Sequence, residues 1–138
     1  MSTKLKDKEQ QITQILEQLA IENNCGKPVV VEGKKDAESL KNLGVNGEII
    51  FAKAGGRNLL DVISEVEAAS AGEVILMLDF DRRGRELTLN LKGRLEESGI
   101  KVNIHFWLKI QCLAGKEVKD VEGLASYMET LKSKIGNS

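Results

Sequence analysis

The chain has 138 residues, with 20 Lys and Arg against 21 Asp and Glu and a formal net charge of −1. That length suits one domain and allows a real core without disulfide or metal staples. Near-neutral charge argues neither for nor against a polyanion partner, so any basic patch must be local.

The two cysteines, Cys25 and Cys112, lie far apart with no CxxC spacing. This argues against a disulfide framework or a zinc site. The opening MSTKLKDKEQQ is too polar for a signal peptide, and no apolar run approaches the ~20 residues of a membrane span. The expectation is a cytoplasmic protein, monomer or homodimer, with no membrane partner.

Residues 3–24 read as a helix, with Leu5, Ile12, Leu16 and Leu19 near one face and Asn24 and Gly26 as stop residues. Such a helix packs on the rest of the chain or on a second copy. We therefore expect residues 1–26 as an N-terminal helix and 27–138 as one folded unit.

A strand–helix rhythm then begins. PVVVE (28–32) is the first strand, and a helix follows with Ala37, Leu40 and Leu43, ending at Gly44. EIIFA (48–52) is the second strand and KAGGR the loop after it. Asn58 caps a helix through Ala69 carrying Leu59, Leu60, Ile63 and Val66. EVILMLD (73–79) is the third strand. The next helix carries Leu87, Leu91 and Leu95 and stops at Gly99.

IKVNIHFWL (100–108) alternates, with Val102, Ile104, Phe106 and Leu108 on one side, as an edge strand does. A last helix over 120–134 places Leu124, Met128 and Leu131 on one face, while 109–119 has no clear assignment. Alternating strands and helices with doubly apolar inner strands predict an α/β fold with a four-stranded parallel sheet. We expect order 2-1-3-4 with helices on both sides.

In such sheets, ligands sit beyond the carboxyl ends of the strands where the order reverses. Here that point lies between strands one and three. Strand one ends in Glu32; strand three runs VILML straight into Asp79, with Asp81 two residues on. Residues i and i+2 of an extended segment point the same way, so the two aspartates converge with Phe80 turned inward. Three neighbouring carboxylates repel one another, and a divalent cation removes that cost. Hard carboxylate oxygens suit Mg²⁺ or Mn²⁺. Lys34, Lys35, Lys53, Arg57, Arg82, Arg83 and Arg85 fall in loops or first helical turns at the same sheet end. Cations around an acidic centre suit a phosphodiester held in place and activated by metal.

Plainer roles exist for the same residues. Asp81 can cap the helix that starts near Arg82, and Asp36 can favour its own first turn. KAGGR can cradle a phosphate or simply turn. His105, on the expected fourth strand, suits structure or surface better than catalysis. Trp107 can stack a base but suits packing better, and Tyr127 suits packing. Asp120 and Glu122 can cap a helix or add acid to the site.

VVVEGKKDAESL, the AGG turn and LMLDFDRRGREL together resemble the toprim domain. That domain is shared by type IA and II topoisomerases, DnaG-type primases, OLD-family nucleases, RecR recombination proteins and the nuclease that matures 5S ribosomal RNA. The resemblance spans roughly residues 28–108 and is nearest to small stand-alone archaeal and bacterial toprim proteins related to that maturation nuclease. It implies a three-layer α/β/α, Rossmann-like toprim fold. Glu32 would take the family's general acid/base role, with metal coordination as a second role. Asp79 and Asp81 would bind Mg²⁺. Gly33 and Gly84 match the glycines after each acidic element, and Gly55 and Gly56 lie where the family has a small residue.

The external tyrosine of a topoisomerase strand gate, a primase zinc module and an ATPase motif are not in these residues. The expected function is a Mg²⁺-dependent nuclease or related phosphodiester-transfer enzyme acting on RNA or DNA. The alternative is a non-catalytic, metal-dependent nucleic-acid-binding module that works with a protein partner.

Overall fold

In a computed structural model, which describes residues 3–69 and 72–136, the apolar runs become four short parallel strands between helices. Residues 1–2, 70–71 and 137–138, which the expected units include, lie outside the described residues.

Helix α1 (Thr3–Asn24) buries Ile12, Leu16 and Leu19, one stripe at helical spacing. It ends where Gly26 takes a left-handed φ of 105°. Buried Asn23 then ties the loops together: its Nδ2 donates to the carbonyls of Lys27 (2.9 Å) and Glu48 (3.0 Å), and its Oδ1 accepts from Gly47 N–H (2.7 Å).

Strand β1 (Val29–Val31) leads into α2 (Lys34–Asn42), and β2 (Ile49–Phe51) passes through a 3₁₀ turn (Ala54–Gly56) into α3 (Leu59–Ala69). Asn58 caps α3 as expected: its Oδ1 accepts from Asp61 N–H, and Asp61 Oδ2 accepts from Asn58 N–H, both at 3.0 Å. Val62, Ile63 and Val66 form the buried face of α3, whereas Leu60 points outward and is 66% exposed. Strand β3 (Glu73–Leu76) leads into α4 (Arg82–Glu97), which buries Leu91 and Leu95.

The sheet order is β2-β1-β3-β4, all parallel, with Val29 paired to both Ile49 and Ile75. Alternation along the strands sorts the core into two layers. Val29, Val31, Ile75 and Met77 pack with α1, α2 and the C-terminal helices, while Val30, Val74, Leu76 and Leu78 pack with α3 and α4. The result is the expected α/β architecture with helices on both faces.

The fourth strand is shorter than the alternation predicts. Strand β4 covers only Lys101–Asn103, and the chain turns at once into α5 (His105–Ala114). Asn103 Oδ1 accepts from His105 N–H at 2.7 Å and starts the helix. Phe106, Trp107, Ile110 and Ala114 are its buried face. His105 and Trp107 therefore do not share a strand face. His105 is exposed, and Trp107 is buried with Nε1 donating to the Leu78 carbonyl at 2.8 Å.

The last helix, α6 (Leu124–Gly136), starts later than expected because Asp120 closes a turn first. Its Oδ1 accepts from Gly123 N–H at 2.8 Å. Leu124, Met128 and Leu131 are buried as anticipated. Tyr127, half-buried, packs against the same core cluster.

Candidate metal centre

The carboxyl ends of β1 and β3 lie side by side, and the backbone pairing continues past both strands. Met77 N–H donates to Val30 O (2.9 Å), and Lys53 N–H donates to Glu32 O (3.0 Å). This fixes Glu32 between Lys53 and Asp79. Glu32 Oε2 accepts from Asp79 N–H at 3.2 Å, and Oε1 pairs with Lys53 Nζ at 3.0 Å. Its side chain is 13% exposed, so the carboxylate is held from two sides in a largely dry position.

Asp79 is half-buried and has an unusual pKa. Burial pushes its carboxyl up to about 7, and the charges of Glu32 and then Asp36 add to the rise. One backbone donor opposes this: Val121 N–H reaches Asp79 Oδ1 at 3.4 Å. Asp36 is almost fully buried, and burial raises its pKa too. The N–H of Gly33 (3.0 Å) and a backbone bond from Glu122 oppose that rise, while Glu32 and Asp120 add to it.

The two aspartates of the D-x-D element part company. Phe80 is buried, as expected, stacked on Trp107 with ring centroids 6.4 Å apart. Asp81, however, is exposed and caps α4, its Oδ1 accepting from Gly84 N–H at 2.8 Å. The carboxylates that act most strongly on Asp79 are Glu32 and Asp36. Gly84 has a steric reason to be glycine, because a Cβ there would sit 2.1 Å from the Asp79 carbonyl oxygen. Gly55 and Gly56 adopt left-handed φ of 60° and 76° in the turn after Lys53.

The seven expected cations have different neighbours. Lys34, Lys35 and Arg83 are exposed and make no ion pair or side-chain hydrogen bond among the described residues. Arg57 pairs with Glu65 and donates to the Asp61 carbonyl, and Arg82 pairs with Glu86 one turn on. Arg85 Nη1 donates to the Phe80 carbonyl at 2.9 Å, bracing the turn that carries both aspartates. Only Lys53 engages the acidic centre directly.

A segment that the sequence reading gave mostly to the start of the last helix completes the site instead. Phe80 N–H donates to Lys119 O at 2.8 Å, and Val121 and Glu122 offer their backbones to Asp79 and Asp36. Residues 119–122 thus run as a strap along the acidic turn. Glu122 contributes backbone while its side chain is exposed, and Asp120 lies close enough to raise Asp36. The one sequence signal was KDVEGL, whose acids fit capping equally well. A separate groove of about 570 Å³ between α1 and α5, lined by Gln11, Gln14, Gln18, His105 and Lys109 among others, includes none of Glu32, Asp36, Asp79 or Asp81.

The donor chemistry suits a hard divalent cation: carboxylate oxygens, with Glu32 and Asp36 placing further negative charge near a half-buried Asp79. Among the described residues no three His, Cys, Asp or Glu side chains form a metal cage by themselves. Mg²⁺ typically keeps several waters and takes only one or two carboxylates beside substrate phosphates.

The toprim domain model matches residues 27–107. The chain belongs to the toprim domain family. Toprim domains generally bind divalent metal ions such as Mg²⁺, and membership ties this chain to metal-dependent, nucleic-acid-related function. Its relatives are small. A UPF0292 protein of Methanosarcina barkeri is 35% identical over 127 residues, covering 92% of this chain and 87% of that protein. A UPF0292 protein of Methanocaldococcus jannaschii is 38% identical over 120 residues, covering 86% and 91%. A solved structure of a protein from Aquifex aeolicus shares the fold, with TM-score 0.66 and 22% identity over 79% of this chain and 94% of that one. The toprim match ends at Trp107, so most of α5, the strap and α6 lie outside it. No helix among the described residues is long and apolar enough to cross a membrane.

Proposed function

We propose that this toprim protein is a Mg²⁺- or Mn²⁺-dependent nuclease, or a related phosphodiester-transfer enzyme, acting on RNA or DNA. The supporting observation is the junction of β1 and β3, where Glu32 and Asp79 share a hydrogen bond at 3.2 Å beside loops rich in cations. Asp79 and Asp81 are the metal ligands in this reading, with Glu32 either completing the set or moving a proton. Asp81 keeps Oδ2 free for that role while Oδ1 caps α4. The bound metal would supply Lewis-acid activation of the phosphate and of water. Glu32, held by the Asp79 amide and Lys53, is oriented to exchange a proton at Oε1 once Lys53 moves away. Lys34, Lys35 and Arg83, uncommitted to other groups, hold backbone phosphates.

The test is incubation of the purified protein with labelled single-stranded, duplex and structured RNA and DNA in Mg²⁺, Mn²⁺ or EDTA. Asp79→Asn is run alongside. Metal-dependent cleavage lost in Asp79→Asn supports the enzyme. Cleavage that persists in the variant rejects this site.

A second reading has its own observation. Asp81 is exposed and caps α4, apart from the carboxylates that act most strongly on Asp79. This suits a non-catalytic module that grips phosphates through metal and basic turns beside a protein partner. Salt-sensitive binding without cleavage is its signature.

A further inference from the structure

We propose that Lys53 is the resident counter-charge of the carboxylate site. It occupies Glu32 until a divalent cation takes that carboxylate, and its freed ammonium then binds a nucleic-acid phosphate. The inference rests on the metal-site reading above and adds a coupling between the two ligands.

Among the described residues, Lys53 is the one basic side chain within ion-pair distance of Glu32, Asp36, Asp79, Asp81 or Asp120. It reaches Glu32 Oε1 at 3.0 Å, while Oε2 is taken by the Asp79 amide. A cation arriving at Glu32 therefore meets Lys53 at the same oxygen. Two cations a few ångströms apart repel, and the divalent one interacts about twice as strongly with the carboxylate. The lysine side chain is 43% exposed against 13% for Glu32, so its ammonium can move into solvent while the carboxylate stays in place.

Release needs no backbone change. Lys53 N–H stays bonded to the Glu32 carbonyl at 3.0 Å, which anchors the Cα while the flexible four-carbon stem swings. The following Gly55 and Gly56 are exposed and leave open space where side chains would otherwise stand. Lys34, Lys35 and Arg83 are already free, so metal binding changes nothing for them. Lys53 alone converts metal occupancy into a new phosphate contact. Each ligand then raises the affinity for the other by the same factor.

The test uses the full chain and metal alone as the first probe. Mn²⁺ affinity is measured by electron paramagnetic resonance at 0.15 M salt for wild type, Lys53→Met and Lys35→Met. Lys53→Met should bind Mn²⁺ about 3- to 10-fold tighter, because the competitor is gone. Lys35→Met removes the same charge without an ion pair and should change affinity by less than about 2-fold. A labelled single-stranded oligonucleotide then probes the second step by fluorescence anisotropy in Ca²⁺ or EDTA. Ca²⁺ should tighten wild-type binding, and Lys53→Met should lose most of that gain. Lys53→Arg should restore it.

Equal Mn²⁺ affinity in wild type and Lys53→Met overturns the proposal. So does equal tightening in Lys35→Met, which would reduce the effect to net charge. Absence of Mn²⁺ binding in every variant is a separate outcome that overturns the metal reading itself.

Discussion

Two turns at the same sheet edge begin the same way and resolve differently. Each follows a central strand, carries an acid between strand and helix, and has a second acid at the start of that helix. After β1, Asp36 reaches back to Gly33 N–H at 3.0 Å and is buried facing the other carboxylates. After β3, Asp81 reaches forward to Gly84 N–H at 2.8 Å and stands exposed. The glycines differ as well. Gly33 has an extended backbone (φ −152°) and open space where a Cβ would go, whereas Gly84 lies against the Asp79 carbonyl. Two acidic turns at one sheet edge thus have two mechanical designs. One turn stores charge, and the other clamps backbone.

The largest expected effect breaks the clamp. Gly84→Ala forces a methyl into the Asp79 carbonyl and should cost about 3 kcal/mol, roughly 9–15 °C in Tm by thermal denaturation. Gly33→Ala should stay within about 0.5 kcal/mol of wild type. If both cost the same, the two turns are mechanically alike and the distinction fails.

The charge that Glu32 and Asp36 of the first turn press on Asp79 of the second is tested next. In EDTA at pH 8, Asp79→Asn should stabilise the protein by about 1–2 kcal/mol, or roughly 3–10 °C, after discounting for solvent screening. The sign follows from the raised pKa of about 7. The folded protein holds the Asp79 proton more tightly than the unfolded chain. That contribution to stability is fully present below the ordinary carboxyl range and is lost as pH rises through about 7. The advantage of Asn is therefore full above pH 7 and fades as pH falls towards 4. A pH series of melting curves checks it, and a constant difference between the two proteins would reject the account.

Trp107→Phe leaves the Leu78 carbonyl without its indole donor and should cost about 1–2 kcal/mol by urea titration. Asp81→Ala should cost about 1 kcal/mol for a lost cap, opposite in sign to Asp79→Asn in EDTA. Stabilisation by both substitutions would mean that Asp81 belongs to the charged cluster after all.

Much of the fold was legible because each element carried a local signal. The span of α1, the cap at Asn58 and the order β2-β1-β3-β4 all follow from periodicity, turn residues and the doubly apolar inner strands. The junction of β4 and α5 was not. Val102, Ile104, Phe106 and Leu108 alternate as a strand does, while Phe106, Trp107, Ile110 and Ala114 keep helical spacing over the same residues. Asn103, whose side chain starts the helix, decides between them, and a single asparagine is a weak signal.

At the site, the adjacency of Glu32 and Asp79 followed from strand order alone. Capping by Asp81 was an open alternative that the structure realises. Sequence could not show the pairing of Lys53 with Glu32, since it depends on the register between β1 and β2. Nor could it bring residues 119–122 to Asp79, because backbone donors leave no mark on side-chain identity.

That strap has a consequence for the order in which the protein forms. Asp79 meets Glu32 across 47 residues and Val121 across 42, and contacts of such separation carry a large loop-closure cost. Helices α2 to α4 need only near neighbours to begin. A chain emerging from the ribosome carries both acidic turns before Val121 exists, so the Val121 N–H reaches Asp79 only after the strap has been made. Pulse-labelled hydrogen exchange should find the Phe80 amide, bonded to Lys119, among the last to gain protection. The acidic centre is in this sense among the last joints closed in the assembly of the molecule.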